Sequence, residues 1–196
     1  DRNHRFWQTV SSVSLEIVCP KYTSIVNNTQ KGDDRMMKNL QKVGGIAALY
    51  EAAAYVVTMA GVLLVADVSG VADPVQKVAM LAENQALLTI LHLISYVVWG
   101  VFMVVLSLAL YDRLKAGSPA IAQTATAFGL IWAGLVIASG TLYNVGMANV
   151  IELSAQDPAQ AATVWLAISS VFEGLSGIEV VGSTWMLLVS WAALRG

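Results

Sequence analysis

The segment Ile94–Leu110 reads ISYVVWGVFMVVLSLAL and contains no charged residue. Apart from Ser95, Tyr96 and Ser107 it is apolar, so a helix formed here has almost no polar face. A helix of a water-soluble protein needs a polar face on its exposed side. The apolar run extends over about 86–110, and roughly 20 apolar residues are enough to cross a hydrocarbon core about 30 Å thick. The segment therefore predicts a membrane-spanning helix.

Three further segments have the same character, at about 43–66, 119–145 and 164–194. The chain of 196 residues is 57% hydrophobic and only 12% charged, whereas about a quarter of a soluble domain is charged. Long apolar runs, instead of short alternating segments, argue against a β-barrel. A soluble bundle of buried helices is the alternative, and it would need polar outer faces. The predicted fold class is an all-α polytopic transmembrane helical bundle with four spans.

The basic residues are distributed unevenly between the connections. Those that lie before the first segment, between the second and third, or after the fourth are Arg2, Arg5, Lys21, Lys31, Arg35, Lys38, Lys42, Arg113, Lys115 and Arg195. The other two connections hold only Lys77. Because Lys and Arg are retained on the cytoplasmic side of a membrane, the pattern predicts a multi-pass inner-membrane protein with both termini in the cytoplasm.

The first 37 residues form a separate, polar part of the sequence. We expect residues 1–37 to be a cytoplasmic N-terminal extension and 38–196 to be the transmembrane bundle. Met36, Met37 and Lys38 would make a natural start just ahead of the first span, so whether residues 1–35 are native stays open. The chain ends at Gly196 directly after an apolar segment, and we expect further helices to follow.

Two of the predicted helices are longer than a bilayer requires. Asp73-Pro74, Ser118-Pro119 and Asp157-Pro158 each place a capping side chain before a proline at the first helical position. The stretches that begin at Asp73 and Asp157 and end near Asp112 and Arg195 would run roughly 55–60 Å as continuous helices. Either each helix projects from the membrane, or each begins with a short interfacial helix and then bends. The Gly/Ser-rich stretch 174–177 is a second candidate for a kink.

Five polar or ionisable residues within the apolar segments are candidate site residues. His92, Asn144 and Glu173 are expected at a similar depth, with Glu179 and Glu51 elsewhere in the membrane. Charges in hydrocarbon are costly and usually face the bundle interior or water. On the second segment His92, Ser95, Tyr96 and Trp99 follow one helical stripe, which predicts an inward face. The residues could form a ligand or proton site, His92 and Glu173 could pair only to hold two helices together, or these residues could make no contact at all.

Several classes of function lack support in this sequence. One cysteine and two histidines offer no multi-cysteine metal site or bis-histidine haem site, and a net charge of −2 suggests no nucleic-acid partner. No phosphate loop, nucleophile elbow or paired-histidine zinc motif occurs. We therefore expect no catalytic residue, metal or cofactor. Lipid is the expected partner, and the small residues within the segments indicate association with other helices, of this protein or another. Trp165 and Trp191, near opposite ends of the fourth segment, are expected at the membrane interfaces.

Three stretches resemble a family of uncharacterised bacterial multi-pass membrane proteins, classed as a domain of unknown function. They are Lys42–Glu51 (KVGGIAALYE), Leu108–Leu114 (LALYDRL) and Trp185–Arg195 (WMLLVSWAALR). The resemblance covers about residues 38–196 and implies a bacterial inner-membrane parent of about six helices, truncated here. It implies no substrate, cofactor or catalytic residue.

Three functions follow from these observations as hypotheses. The leading one is a structural or accessory membrane protein without its own catalysis. The alternative is a transporter, a channel, or a ligand- or proton-sensing protein that uses His92, Asn144 and Glu173. The third is an intramembrane enzyme with a metal held by His92 and one or both glutamates, although one histidine and scattered carboxylates are a weak set of metal ligands.

Overall fold

The computed structural model describes residues 20–65, 73–176 and 180–195. The chain divides into two compact units, 1–42 and 43–196. Residues 1–19 of the expected extension lie outside the described residues, and the first described helix begins at Pro20. The helices are α1 Pro20–Val65, α2 Pro74–Glu83, α3 Gln85–His92, a π-helical turn Leu93–Val98, α4 Trp99–Leu114, α5 Pro119–Ser154, α6 Pro158–Ser176 and α7 Val180–Arg195.

The described residues form a transmembrane helical bundle with four spans, as predicted. The helices long and apolar enough to cross a membrane are Met36–Gly61, Gln85–Leu114, Pro119–Ser154 and Pro158–Arg195, numbered here as the first to fourth spans. Large apolar side chains project from the bundle, and Leu49, Leu187 and Leu194 are each more than 70% exposed. In a bilayer this surface contacts lipid tails, so its exposure carries no cost.

The third span, α5, is the central helix of the bundle. It packs against the π-helical turn, α4, α6 and α7. Its buried residues recur mostly at intervals of three or four positions, and most are small: Ala122, Ala125, Gly129, Ala133, Val136, Ser139, Gly140, Gly146, Met147 and Val150. Small residues allow helix backbones to approach closely, and close packing drives helix association in lipid.

A separate apolar core lies where α2 packs against α6 and α5. This α2 core consists of Val78, Leu81, Leu88, Met147, Val150, Ala161, Ala162 and Trp165. Trp165 is only 2% exposed, so its indole is not on the bundle surface, where an interfacial aromatic side chain would contact headgroups. Its indole instead fills the space between α6 and the helices it packs on.

A short separate helix, α2, precedes the second span, so the segment that begins at Asp73 is not one continuous helix. α2 ends at Glu83, and Asn84 leaves the helical conformation with φ −111° and ψ 15° before α3 begins. In the fourth segment α6 is continuous from Pro158 to Ser176. The kink considered at 174–177 includes residue 177, which lies outside the described part of the chain.

Two of the three expected helix caps are formed by side chains. The Asp73 carboxylate accepts from the Val75 N–H at 3.0 Å, and the Asp157 carboxylate accepts from the Ala159 and Gln160 N–H groups at 3.1 and 3.0 Å. The Ser118 side chain makes no capping bond. The Ser118 backbone carbonyl nevertheless starts α5 by accepting from the Ala122 N–H at 2.9 Å.

Candidate functional site

The second span contains a π-helical turn, Leu93–Val98, that places one extra residue in the helix. The Trp99 N–H bonds to the carbonyl of Ile94, five residues earlier. The same carbonyl accepts from the Tyr50 O–H of the first span at 2.8 Å. Because π-helical turns inside α-helices occur frequently at functional sites, this turn indicates a candidate site in its surroundings.

The central helix approaches the turn closely at Gly140. A β-carbon at Gly140 would overlap the β-carbon of Tyr96 and would lie 3.5 Å from the carbonyl oxygen of His92. Only glycine leaves room for this contact. Close approach at Gly140 therefore fixes the position of Tyr96 between the second and third spans.

A cavity of about 170 Å³ lies beside the π-helical turn. All four spans contribute to its wall. The lining residues are Ala54, Tyr55, Thr58, Ser95, Tyr96, Trp99, Trp132, Val136 and Ser176. Ser95, Tyr96 and Trp99 belong to the stripe that the sequence predicts to face inward, and that prediction is confirmed. Tyr55 is 67% exposed, so the cavity reaches the surface of the bundle at this residue.

Hydroxyl groups form a short hydrogen-bonded chain in the cavity wall. The Thr58 hydroxyl donates to the Ala54 carbonyl at 2.7 Å and is also hydrogen-bonded to the Ser95 hydroxyl. On the opposite side, the Ser176 hydroxyl donates to the Phe172 carbonyl at 2.8 Å and lies beside the Tyr96 phenol. The cavity is thus lined by aromatic rings and by a few polar groups at fixed positions, as small-molecule sites are.

An aromatic cluster continues from the cavity wall toward the α2 core. The His92 imidazole stacks on the Tyr143 ring with 3.6 Å between centroids. The Phe172 ring lies edge-on to the imidazole, with 5.9 Å between centroids. Two further rings complete the cluster. The Tyr96 ring lies 5.4 Å from the His92 ring, and the Trp165 ring lies 5.1 Å from the Tyr143 ring. This His92 cluster connects the second, third and fourth spans, and it shares Tyr96 with the cavity.

The His92 ring has a defined tautomer. Its Nδ1 atom lies 2.8 Å from the Leu88 carbonyl oxygen. A carbonyl oxygen only accepts hydrogen bonds, so Nδ1 carries the proton and donates. In the neutral imidazole Nε2 is then an acceptor, and no partner for it is found among the described residues.

His92 on the second span and Asn144 on the third span lie where these two helices pack against each other. Glu173 does not lie at this contact. Asn144 donates to the Thr89 carbonyl at 3.4 Å, one helical turn before His92. Glu173 is exposed and makes no hydrogen bond or ion pair with any residue that the structure describes. Phe172 occupies the inward position instead, and a step of one residue turns Glu173 about 100° away around the helix.

The other two candidate residues lie apart from this cluster. Glu51 is half-buried, and its Oε1 atom is buried with no partner among the described residues. Asn144 has a similarly unpaired Oδ1. Glu179 lies outside the described residues, so the structure says nothing about it.

The described ranges contain no group of three or more His, Cys, Asp or Glu side chains that could hold a metal ion. The chemistry that the described site offers is therefore stacking, apolar contact and hydrogen bonding. Thr58, Trp132 and Ser176 were not singled out in the sequence. Their signal was weak, because a lone hydroxyl or indole in an apolar segment is common in helix packing.

Comparisons with known proteins give no relative for this chain: no protein-family model, no curated protein and no solved structure matches it.

Proposed function

We propose that this protein is an accessory component of a bacterial inner membrane, with no catalysis of its own, and that it acts by binding another membrane protein through its fourth span. The four apolar helices of the described bundle support a multi-pass membrane protein. The family resemblance supports the bacterial inner membrane as the location. The observation that indicates a partner protein is the exposure of the Glu173 side chain on a membrane-spanning helix.

Glu173 is the sixteenth of the 38 residues in the fourth span, and it points away from the bundle. A carboxylate placed in hydrocarbon costs about 2.5–3.5 kcal/mol on insertion scales. Gly174 beside it is also exposed, and nothing lies within 4 Å of the position that a β-carbon would take there. Ser170, one turn earlier, is exposed as well. These residues form a small, polar surface, the Glu173 face, that suits close approach by another helix.

The chemistry of the Glu173 face indicates a helix of a different protein. A carboxylate requires a hydrogen-bond donor or a cation as its partner. In a symmetric pair of copies of this chain the two Glu173 carboxylates would face each other and repel. The partner helix is therefore expected to present a basic or amide side chain to Glu173.

The native complex tests this proposal directly. Membranes that contain the full chain are extracted in a mild detergent and separated on native gels. We expect a species larger than the monomer, which Glu173→Leu and Gly174→Leu both reduce to the monomer. Val171→Leu is the matched control, because Val171 is exposed on another face of the same helix. A monomer for the unmodified chain, or a complex that mass spectrometry shows to contain only this chain, would refute the proposal.

The orientation of the bundle is part of the proposal. We infer that both termini and the connection after the second span lie in the cytoplasm, because that connection carries Arg113 and Lys115. A hydrogen bond to Asp112 raises the pKa of Lys115, so this side chain stays protonated at neutral pH.

A further inference from the structure

We propose that the cavity beside the π-helical turn binds a small, neutral, single-ring compound that donates a hydrogen bond, of the phenol or indole class. This inference goes beyond the proposed accessory role, and neither depends on the other. It rests on the volume of the cavity, on the nature of its wall and on the directions of its hydrogen bonds.

The volume of the cavity limits the size of its occupant. A cavity of about 150 Å³ in a protein core accepts a benzene ring, and this one measures about 170 Å³. A single aromatic ring with one polar substituent fits, whereas drug-sized ligands occupy pockets of roughly 300 Å³ or more.

Aromatic rings in the wall favour a flat, polarisable occupant. Trp99 and Trp132 meet edge to face, with 5.1 Å between centroids and 72° between planes. Tyr96 and Tyr55 add two further rings. Aromatic pairs in edge-to-face or offset arrangements contribute about 0.5–1.5 kcal/mol beyond area burial, so a ring between these side chains is favoured over an alkyl chain of equal size.

Three hydroxyl groups of the cavity wall, those of Thr58, Ser95 and Ser176, already donate their hydrogens to other protein atoms. Thr58 has one hydroxyl hydrogen, which it donates to the Ala54 carbonyl. The Thr58–Ser95 bond must then be donated by Ser95. Ser176 likewise uses its hydrogen on the Phe172 carbonyl. The oxygen lone pairs of these three hydroxyl groups that remain can only accept, so a ligand that donates a hydrogen bond matches Thr58, Ser95 and Ser176.

The charge of the wall selects a neutral ligand. None of the described lining residues is ionisable near neutral pH, so a cation would have no counter-ion in the cavity. The walls belong to membrane-spanning helices, where an unpaired charge is costly. Phenols and indoles partition into bilayers, and the exposed Tyr55 marks the surface at which they can enter the cavity.

Binding to the purified full chain in lipid nanodiscs tests the proposal, with phenol, indole, toluene and benzaldehyde as probes and calorimetry as the readout. Toluene has nearly the shape of phenol without a donor, and benzaldehyde only accepts. We expect saturable binding of phenol and indole, with toluene and benzaldehyde about tenfold weaker, since one hydrogen bond corresponds to about that factor in affinity. Equal affinities, tighter binding of benzaldehyde, or no saturable binding of phenol and indole would overturn the proposal.

Two variants locate the site. Ala54→Leu places a larger side chain in the cavity and is expected to abolish binding of all four probes, while Ala53→Leu, at an exposed position on the same helix, leaves binding unchanged. Ser95→Ala removes an acceptor without filling the cavity, and we expect it to weaken phenol about tenfold with no effect on toluene. If Ala54→Leu does not fold, the phenol and toluene measurements on Ser95→Ala decide alone. Unchanged phenol affinity in Ser95→Ala would contradict the proposal.

Discussion

The imidazole of His92 lies face to face with the phenol ring of Tyr143, with 3.6 Å between the ring centroids and 9° between the planes. The contact joins the second span to the third, next to the π-helical turn. It occupies the region in which the sequence suggests a His92–Glu173 pair. The imidazole is held by stacking and by its Leu88 hydrogen bond, and neither interaction requires a carboxylate.

Replacement of His92 is expected to separate the contributions of the Tyr143 stacking and of the Leu88 hydrogen bond to the free energy of unfolding. His92→Ala loses both the stacking and the hydrogen bond, and we expect the free energy of unfolding to fall by about 2 kcal/mol. His92→Phe keeps a ring against Tyr143 and is expected to lose about half as much. Unfolding in mixed micelles, followed by circular dichroism, measures both. Ile90→Ala, exposed on the same helix, is the control, and an Ala variant no weaker than this control would contradict a structural role for His92.

Two glycines of α5 offer a matched test of helix packing. Gly140→Ala places a β-carbon against Tyr96, so the helices must separate, and we expect a loss of about 2 kcal/mol or more in the free energy of unfolding. At Gly134 nothing lies within 4 Å of the added carbon, and Gly134→Ala is expected to be neutral or stabilising by up to about 1 kcal/mol. The same unfolding assay compares the two. Equal effects would show that the close approach at Gly140 is absent.

The sequence predicts the bundle well because composition alone determines which segments enter the membrane. α5 begins at Pro119 as expected, because proline suits the first helical position. The π-helical turn has no such signal, since one extra residue in a helix depends on how Tyr96 packs against Gly140 and how Tyr50 bonds to Ile94.

The rotation of each helix was harder to predict than its extent. Glu173 was placed inward because it is polar, whereas the larger apolar surface of Phe172 packs against His92 and Tyr143. In lipid a polar stripe marks the inward face only when polar side chains find partners, and Ser95 does so through Thr58. Trp165 was placed at an interface by analogy with other membrane proteins, but α2 covers it.

Glu51 is expected to reduce stability through its unpaired buried oxygen. Glu51→Gln keeps the shape of the side chain and replaces a carboxyl group whose buried Oε1 atom has no partner among the described residues. We expect the free energy of unfolding to rise by about 1 kcal/mol. Glu83→Gln, at an exposed position of α2, should produce no change. A loss of stability in Glu51→Gln would indicate that the carboxylate has a partner outside the described residues.

The α2 core is expected to contribute more to stability than the lipid-facing surface. Trp165→Ala removes a buried indole from the contact between α6, α2 and α5, and we expect a loss of about 3–5 kcal/mol. Leu187→Ala, at a side chain exposed on the fourth span, is expected to change stability by about 0.5 kcal/mol or less. Thermal unfolding in detergent compares the two variants. A small effect at Trp165 would mean that α2 does not pack on α6 in solution.

In a bundle of four membrane-spanning helices, successive connections lie on alternate sides of the membrane. Single cysteines at Ala116 and Ala155, both exposed in connections, can be introduced after replacement of Cys19, the only cysteine of the chain. Labelling with a membrane-impermeant thiol reagent in intact spheroplasts and after lysis is the most direct measurement. We predict that Ala155→Cys is labelled in intact spheroplasts and that Ala116→Cys is labelled only after lysis. Labelling of both positions from the same side would contradict the account.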